Sequence, residues 1–304
     1  MPIVSFIING SLNNIDTIKK NVLSEAPEDF EILFFVTERR NDGSRLINDA
    51  ITGNSNFIIA VGGDGTINEV VNGSMLLTEA VRSRVVFGIL PNGTGNDFAR
   101  SLQMKKSVGY LFKLLKQNKT QFIDLGQANF TNLTFQRESR YFINIAEIGV
   151  GAKTVQYVNN EKKLLNPVLT FLWAVIRSFS GYKHQDVTIL FNNITIIAKV
   201  VAVCFANGRF FGSGLGISPY SDISDGRLNL VLVGGIKMFD FILKLPLLRK
   251  CKPIKHNQVS YNTFTEASIT SNMPHQFPFE MDGEFVGYTP IDVKIIPGVI
   301  QFLV

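Results

Sequence analysis

Four short apolar runs dominate the first ~125 residues: 3–9 (IVSFIIN), 31–37 (EILFFVT), 56–63 (NFIIAVGG) and 84–91 (RVVFGILP). Each is continuous rather than alternating, as a strand buried on both faces must be. Helix-compatible stretches near 14–25, 42–53, 66–80 and 95–118 separate them. Strands and helices alternating in this way predict a mostly parallel sheet with helices on both sides.

After 122–126 (FIDLG) the texture changes. Strand-like runs at 140–152, 186–208, 226–235, 258–270 and 278–298 follow one another, with hairpin signals at Asn192-Asn193 and Asp282-Gly283. Helical pieces at 153–181 and 237–251 interrupt them. The second part therefore reads as β-rich. At 304 residues the chain has room for one large or two medium domains. With 45% apolar and 18% charged residues it can bury a sizeable core, which excludes global disorder.

The net charge of +5 is mild and the basic residues are scattered. No RNA- or DNA-binding module signature is present, so nucleic acid is not an expected partner. Cys204 and Cys251 stand in dissimilar contexts without a CxxC pair, which points to a reduced, cytoplasmic setting. The opening MPIVSFIING reads as a first strand rather than a signal peptide. No run reaches the ~18 uninterrupted apolar residues of a membrane span; the nearest, 164–179, is broken by Asn166-Pro167 and contains Arg177.

The third run ends in Gly62-Gly63-Asp64-Gly65-Thr66. Glycines at a strand-to-helix junction let backbone approach a phosphate, and the helix start offers N–H groups and a positive dipole end. Thr66 to Glu69 matches a capping box, which predicts a helix beginning at 66 or 67. The loop is neither G-x-G-x-x-G nor a P-loop. Its distinctive feature is Asp64: a carboxylate beside a phosphate cradle is repulsive without a cation, and Mg²⁺ resolves that conflict. The run 89–102 (ILPNGTGNDFARSL) repeats the logic, with Thr94, Asn96 and Asp97 around Gly93 and Gly95. A bland reading stands beside each feature: a well-capped turn at 62–66, and a first-turn acid favoured by the helix dipole at Asp97.

Together, GGDGTINE and LPNGTGNDFAR resemble the catalytic family of the diacylglycerol kinases, the lipid-kinase group that includes sphingosine and ceramide kinases. FIDLG, FINIAEIGVGA (142–152), 206–233 and MDGE (281–284) follow in the family's order, so the resemblance spans essentially the whole chain. GGDGT alone is also similar to NAD kinases. The resemblance implies a Rossmann-like, NAD-kinase-type α/β domain over 1–124, holding ATP in its cleft, and a β-sandwich domain over 125–288, with strands from about 289–304 returning to the first.

It also implies roles for named residues. Gly62, Gly63, Asp64, Gly65, Thr66, Ile67, Asn68 and Glu69 would wrap the ATP phosphates. Asn9, Gly10, Ser11, Leu12 and Asn13 would line the nucleotide pocket, with Gly10 where the family commonly has Pro. Thr37 and Thr94 would also touch nucleotide. Asp64 and Asp97 would organise Mg²⁺ through water, with Asp124 extending that network, and Glu284 would be the general base. A separate structural Mg²⁺ would use the Asp225 carboxylate and the carbonyls of Asp222 and Arg227. The bland alternatives are an ordinary turn at Asp225-Gly226 and a solvent-facing hairpin residue at Glu284.

The function expected is an ATP- and Mg²⁺-dependent lipid kinase converting diacylglycerol to phosphatidic acid. The alternatives are another lipid alcohol (sphingoid base, ceramide-like lipid or monoacylglycerol), NAD, or a non-enzymatic nucleotide- or lipid-binding regulator. Two readings of 236–252 (IKMFDFILKLPLLRKCK) stand equally: a transient contact with the inner membrane surface, its basic residues toward anionic headgroups, or a packed helix interrupted near Pro246. Nothing in the residues fixes the oligomeric state; a homodimer is an expectation on general grounds alone.

Overall fold

The computed structural model describes residues 1–160, 167–180, 184–272 and 277–304. The chain divides into two compact units, Met1–Ile123 with Gly298–Val304, and Asp124–Pro297.

The first unit runs β1 (Ile3–Ile8), α1 (Ile15–Glu25), β2 (Glu31–Val36), α2 (Gly43–Thr52), β3 (Phe57–Gly62), α3 (Asp64–Ser74), α4 (Glu79–Arg82), β4 (Val86–Pro91), α5 (Asp97–Ser101) and α6 (Val108–Gln117). β1 pairs in parallel with β2 and β3, and β3 with β4, giving the order β2-β1-β3-β4. β3 and β4 are buried at every position, which is why their sequences are apolar without alternation. On one face Phe6, Ile59 and Val61 pack with Val22 of α1 and Leu111, Phe112 and Leu115 of α6. α2 and α3 pack closely: a side chain at Gly43 or Gly73 would press on the backbone of the opposite helix.

β5 (Thr120–Asn132) leads into the second unit, which continues with β6 (Arg137–Phe142), β7 (Ile145–Gly149), α7 (Val150–Asn160), α8 (Pro167–Ser180), β8 (Gln185–Phe191), β9 (Ile194–Val200), β10 (Ala202–Ala206), β11 (Phe210–Phe211), β12 (Leu215–Gly216), β13 (Leu228–Val233), α9 (Met238–Arg249), β14 (Val259–Phe264), β15 (Glu266–Ser271), β16 (Pro278–Met281) and β17 (Glu284–Leu303). One antiparallel sheet has the order β14-β13-β10-β7-β16-β17. Its inner face, with Ile148, Phe205, Leu230 and Phe279, packs on residues such as Phe130, Ile189, Ile269 and Val293 of β5, β8, β15 and β17, forming the core of a sandwich. The other face carries Ile145, Cys204 and Val231 under Leu248 and Phe241 of α9. The expected architecture, a Rossmann-like α/β unit and a β-sandwich unit, is the one found.

Several details differ from the sequence reading. α3 begins at Asp64, not at 66 or 67, with Gly63 as an extended N-cap (φ −103°, ψ −163°) and no side-chain cap. Gly63 leaves the strand and lets the helix start at once, so Thr66 lies inside the first turn and there is no capping box. The stretch 95–118 forms two helices, because Gln103 turns left-handed (φ +56°) and the Ser107 hydroxyl accepts the Tyr110 amide to start α6 afresh. The return to the first unit begins at Gly298. Residues 291–294 still pair with β15, which keeps that part of β17 in the sandwich. α9 runs through Pro246 without interruption. The helical piece expected over 153–181 falls on α7 and α8, with 161–166 and 181 outside the described residues. Among the described residues no helix is long and apolar enough to cross a membrane.

Candidate active site

The two glycine loops of the first unit are locked together by Asp64. Its Oδ2 accepts the Asp97 amide at 3.1 Å and its Oδ1 the Phe98 amide at 3.0 Å. A side chain from the β3–α3 junction thus caps α5, the helix that opens the second loop. Burial raises the Asp64 pKa above the usual carboxylate range, while the amides of Phe98 and Asp97 oppose that shift. Asn96, held in the left-handed region (φ +51°), closes the second loop: its Oδ1 accepts the Gly93 amide at 2.9 Å and its Nδ2 donates to the Gly93 carbonyl at 2.8 Å. Gly63 and Gly93 meet backbone to backbone, so a Cβ at Gly93 would collide with the Gly63 Cα. Above Gly65 there is open space.

Asp97 is buried at 5% exposure, with Arg100 Nε 3.9 Å from its Oδ1. A Cβ placed on Gly95 would lie 3.1 Å from Asp64 Oδ2 and 3.4 Å from Asp97 Oδ2. Two carboxylates therefore converge beside a glycine backbone, a donor set suited to a hard divalent cation and its waters. The open face at Gly65 and the exposed Thr94 give phosphate oxygens a place beside them.

The first strand's end is built for hydrogen bonding. Asn9 Nδ2 donates to Thr66 Oγ1 at 3.1 Å, and Asn9 Oδ1 accepts from Ser11 N and Oγ at 2.9 and 2.7 Å. Gly10 N donates to Thr37 Oγ1 at 2.9 Å. The position suits glycine: its N–H is used by Thr37, and a side chain here would strike the Thr37 carbonyl. Asn13 is exposed, whereas Leu12 packs against the core. Within 62–69, Ile67 and Asn68 are buried at 0% and 5% exposure. Their side chains belong to the interior, as does that of Thr66 at 6% exposure, whereas Gly65 is exposed and Gly63, Asp64 and Glu69 are half-buried.

In the second unit Glu284 opens β17 immediately after a turn in which Asp282 and Gly283 are both left-handed (φ +49° and +83°). Its side chain is 42% exposed and its Oε2 accepts from Arg140 at 2.9 Å. Asp282 is buried, and its carboxylate accepts the amides of Ile143, Asn144 and Ile145 at 2.9–3.0 Å. That role went unrecognised in the sequence, as did Arg140, since neither partner lies nearby along the chain. The Asp222–Arg227 loop is likewise tied internally. Asp222 Oδ1 accepts from Ser224 N and Oγ at 3.1 and 2.8 Å, and Asp225 Oδ1 from Arg227 N at 2.9 Å. Asp124 Oδ2 accepts the Gly226 amide at 2.7 Å, which assigns Asp124 to this loop. Among the described residues no three His, Cys, Asp or Glu side chains gather as a metal cluster. A cation at this loop would rest on the Asp225 carboxylate and main-chain carbonyls.

On the helix side of the sandwich lies a cavity of about 60 Å³, lined by Val175, Phe179, Cys204, Phe241 and Leu248 and by Glu147, the one acidic side chain among its described lining residues. Glu147 is 1% exposed and accepts the amides of Gly151 and Ala152 at 3.1 and 2.6 Å, holding the start of α7. Burial pushes its pKa from 4.5 to about 8. The folded state therefore keeps this proton longer than the unfolded chain. The associated stability is full below pH 4.5 and is lost as pH rises to about 8. Glu147→Gln is expected to abolish that loss, on the order of 5 kcal/mol. Denaturant unfolding of both proteins at pH 5 and pH 8.5 measures it.

Residues 4–128 match the family model of the diacylglycerol kinase catalytic domain, and 144–304 that of the YegS C-terminal NAD kinase beta sandwich-like domain. A protein of Yersinia enterocolitica named "Probable lipid kinase YegS-like" is 29% identical over 99% of this chain and 96% of its own. The crystal structure of a diacylglycerol kinase from Bacillus anthracis str. Sterne superposes with a TM-score of 0.69 at 18% identity, covering 99% of this chain and 96% of that one. Yeast NADH kinase complexed with NADH shares the fold more distantly, with a TM-score of 0.51 at 8% identity over 99% and 83% of the two chains.

Proposed function

The chain belongs to the lipid-kinase family defined by the diacylglycerol kinase catalytic domain and the YegS C-terminal domain, and we propose that it phosphorylates diacylglycerol with ATP and Mg²⁺, giving phosphatidic acid. The observation that carries this reading is the locking of both glycine loops by Asp64, with its carboxylate and that of Asp97 converging at Gly95. Phosphoryl transfer depends mainly on positioning and charge neutralisation. Backbone around Gly63, Gly65 and Gly93 and the start of α3 would hold the triphosphate. Asp64 and Asp97 would hold Mg²⁺, which supplies neutralisation of the charge on the transferring group. Glu284 would accept the proton of the lipid hydroxyl, its carboxylate oriented by Arg140.

The test is an ATP-consumption assay with Mg²⁺ and diacylglycerol in mixed micelles, with a sphingoid base, monoacylglycerol and NAD in parallel. Phosphatidic acid as the main product supports the reading. Preference for another lipid keeps the chemistry and changes the acceptor. Phosphorylated NAD alone sinks it.

The substrate lives in a membrane, and α9 supports a peripheral contact there. Phe241, Leu245 and Leu248 pack inward, while Phe239 and Leu243 are 68% and 58% exposed; the exposed Lys237 precedes the helix and the exposed Lys250 and Lys252 follow it. An apolar stripe edged by cations suits an anionic cytoplasmic leaflet. Phe239→Asp with Leu243→Asp is expected to reduce co-sedimentation with anionic vesicles several-fold. Equal recovery of wild type and variant would refute the contact.

A further inference from the structure

Beside Glu284 lies a second, buried carboxyl group that the proposed reaction does not use. Glu280 of β16 is 3% exposed, and its Oε2 accepts the Gly283 amide at 2.8 Å. Gly283 is the left-handed residue directly before Glu284. The same turn is held from its other half by Asp282, through the amides of residues 143–145. The backbone from which Glu284 projects is thus clamped by two buried carboxyl groups.

The surroundings of Glu280 are not those of a stabilising ion pair. It pairs in register with Glu147 on β7, which pairs with Cys204 on β10, so the three share one face of the sheet. Burial, with Glu147 and Asp282 nearby, raises its pKa well above the usual range. An apolar side chain of similar volume would avoid that penalty. What it would not do is accept the Gly283 amide.

We propose that Glu280 is a positioning residue for phosphoryl transfer, its carboxyl holding the Gly283 amide and so fixing the backbone from which Glu284 reaches the lipid hydroxyl. This rests on the reading of Glu284 as the base. Displacing a reacting group by about 1 Å costs up to 10²-fold in rate, and loss of the clamp acts on that scale.

The experiment compares Glu280→Met, Glu280→Gln and Glu284→Gln in the full chain, measuring kcat, KM for ATP and melting temperature. Glu280→Met keeps volume and removes the acceptor. Its kcat is expected to fall ~10–100-fold, with KM for ATP within about twofold of wild type and melting temperature no lower. A purely structural role would instead lower stability along with activity. Glu280→Gln retains an acceptor oxygen and is expected to recover most of the lost rate. Wild-type kcat in Glu280→Met beside an inactive Glu284→Gln would overturn the positioning role and leave the base standing. A Glu280→Gln as slow as Glu280→Met would also overturn it. An active Glu284→Gln would overturn both the base and the role built on it.

Discussion

Glu284→Gln is expected to lower kcat by ~10²–10⁴-fold while leaving KM for ATP nearly unchanged. The range is that of a positioned general base acting on a weak hydroxyl nucleophile. The substitution is well controlled, because a glutamine oxygen can still accept from Arg140, now 2.9 Å from Glu284 Oε2. The side chain is 42% exposed, so little core packing depends on it. What the variant lacks is the capacity to take a proton. A steady-state assay at saturating ATP and diacylglycerol measures the effect. Activity within twofold of wild type would make Glu284 a solvent-facing hairpin residue after all.

Asp64 is expected to give the other large effect, and two substitutions separate its two roles. Asp64→Asn removes the charge that would help hold Mg²⁺; kcat is expected to fall on the order of 10³-fold, the scale of losing one preorganised electrostatic contact. The asparagine oxygen can serve one of the two amides now bonded at 3.0 and 3.1 Å, while its NH₂ faces the other. Asp64→Ala leaves both amides without this acceptor, at about 1–3 kcal/mol each. It is therefore expected to lower the unfolding midpoint as well as the rate, and to weaken ATP binding by loosening the second loop. Calorimetric titration of ATP and a denaturant melt distinguish the two. If Asp64→Asn is as active as wild type, Asp64 serves only to lock the loops.

The legible features were those written locally. Apolar runs without alternation marked the strands; β3 and β4 are buried throughout, whereas β2, at the end of the sheet, is half-buried or exposed at every position, because it has a neighbouring strand on one side alone. Asn192-Asn193 and Asp282-Gly283 marked hairpins, and all four residues have positive φ. The glycines at 62–65 and 93–95 marked strand-to-helix loops because only a bare backbone allows the approach seen between Gly63 and Gly93. In each case the information resides in a residue's own conformational freedom or in a short hydrophobic period.

The capping box at Thr66 shows the limit of such signals. The pattern was present, yet Gly63 allowed the helix to begin at Asp64, and Thr66 bonds to Asn9 instead. A polar side chain takes whichever partner the fold brings to it. The sequence by itself determined the alternation of strands and helices in the first unit, the β-rich class of the second and the glycine loops. Only the tertiary structure decided which amides Asp64 and Asp282 satisfy. The partners of Asp64 are 33 and 34 residues away, and those of Asp282 are 137 to 139 away. A buried carboxylate must find donors within about 3 Å, and chain topology, which no local pattern encodes, determines which donors lie there.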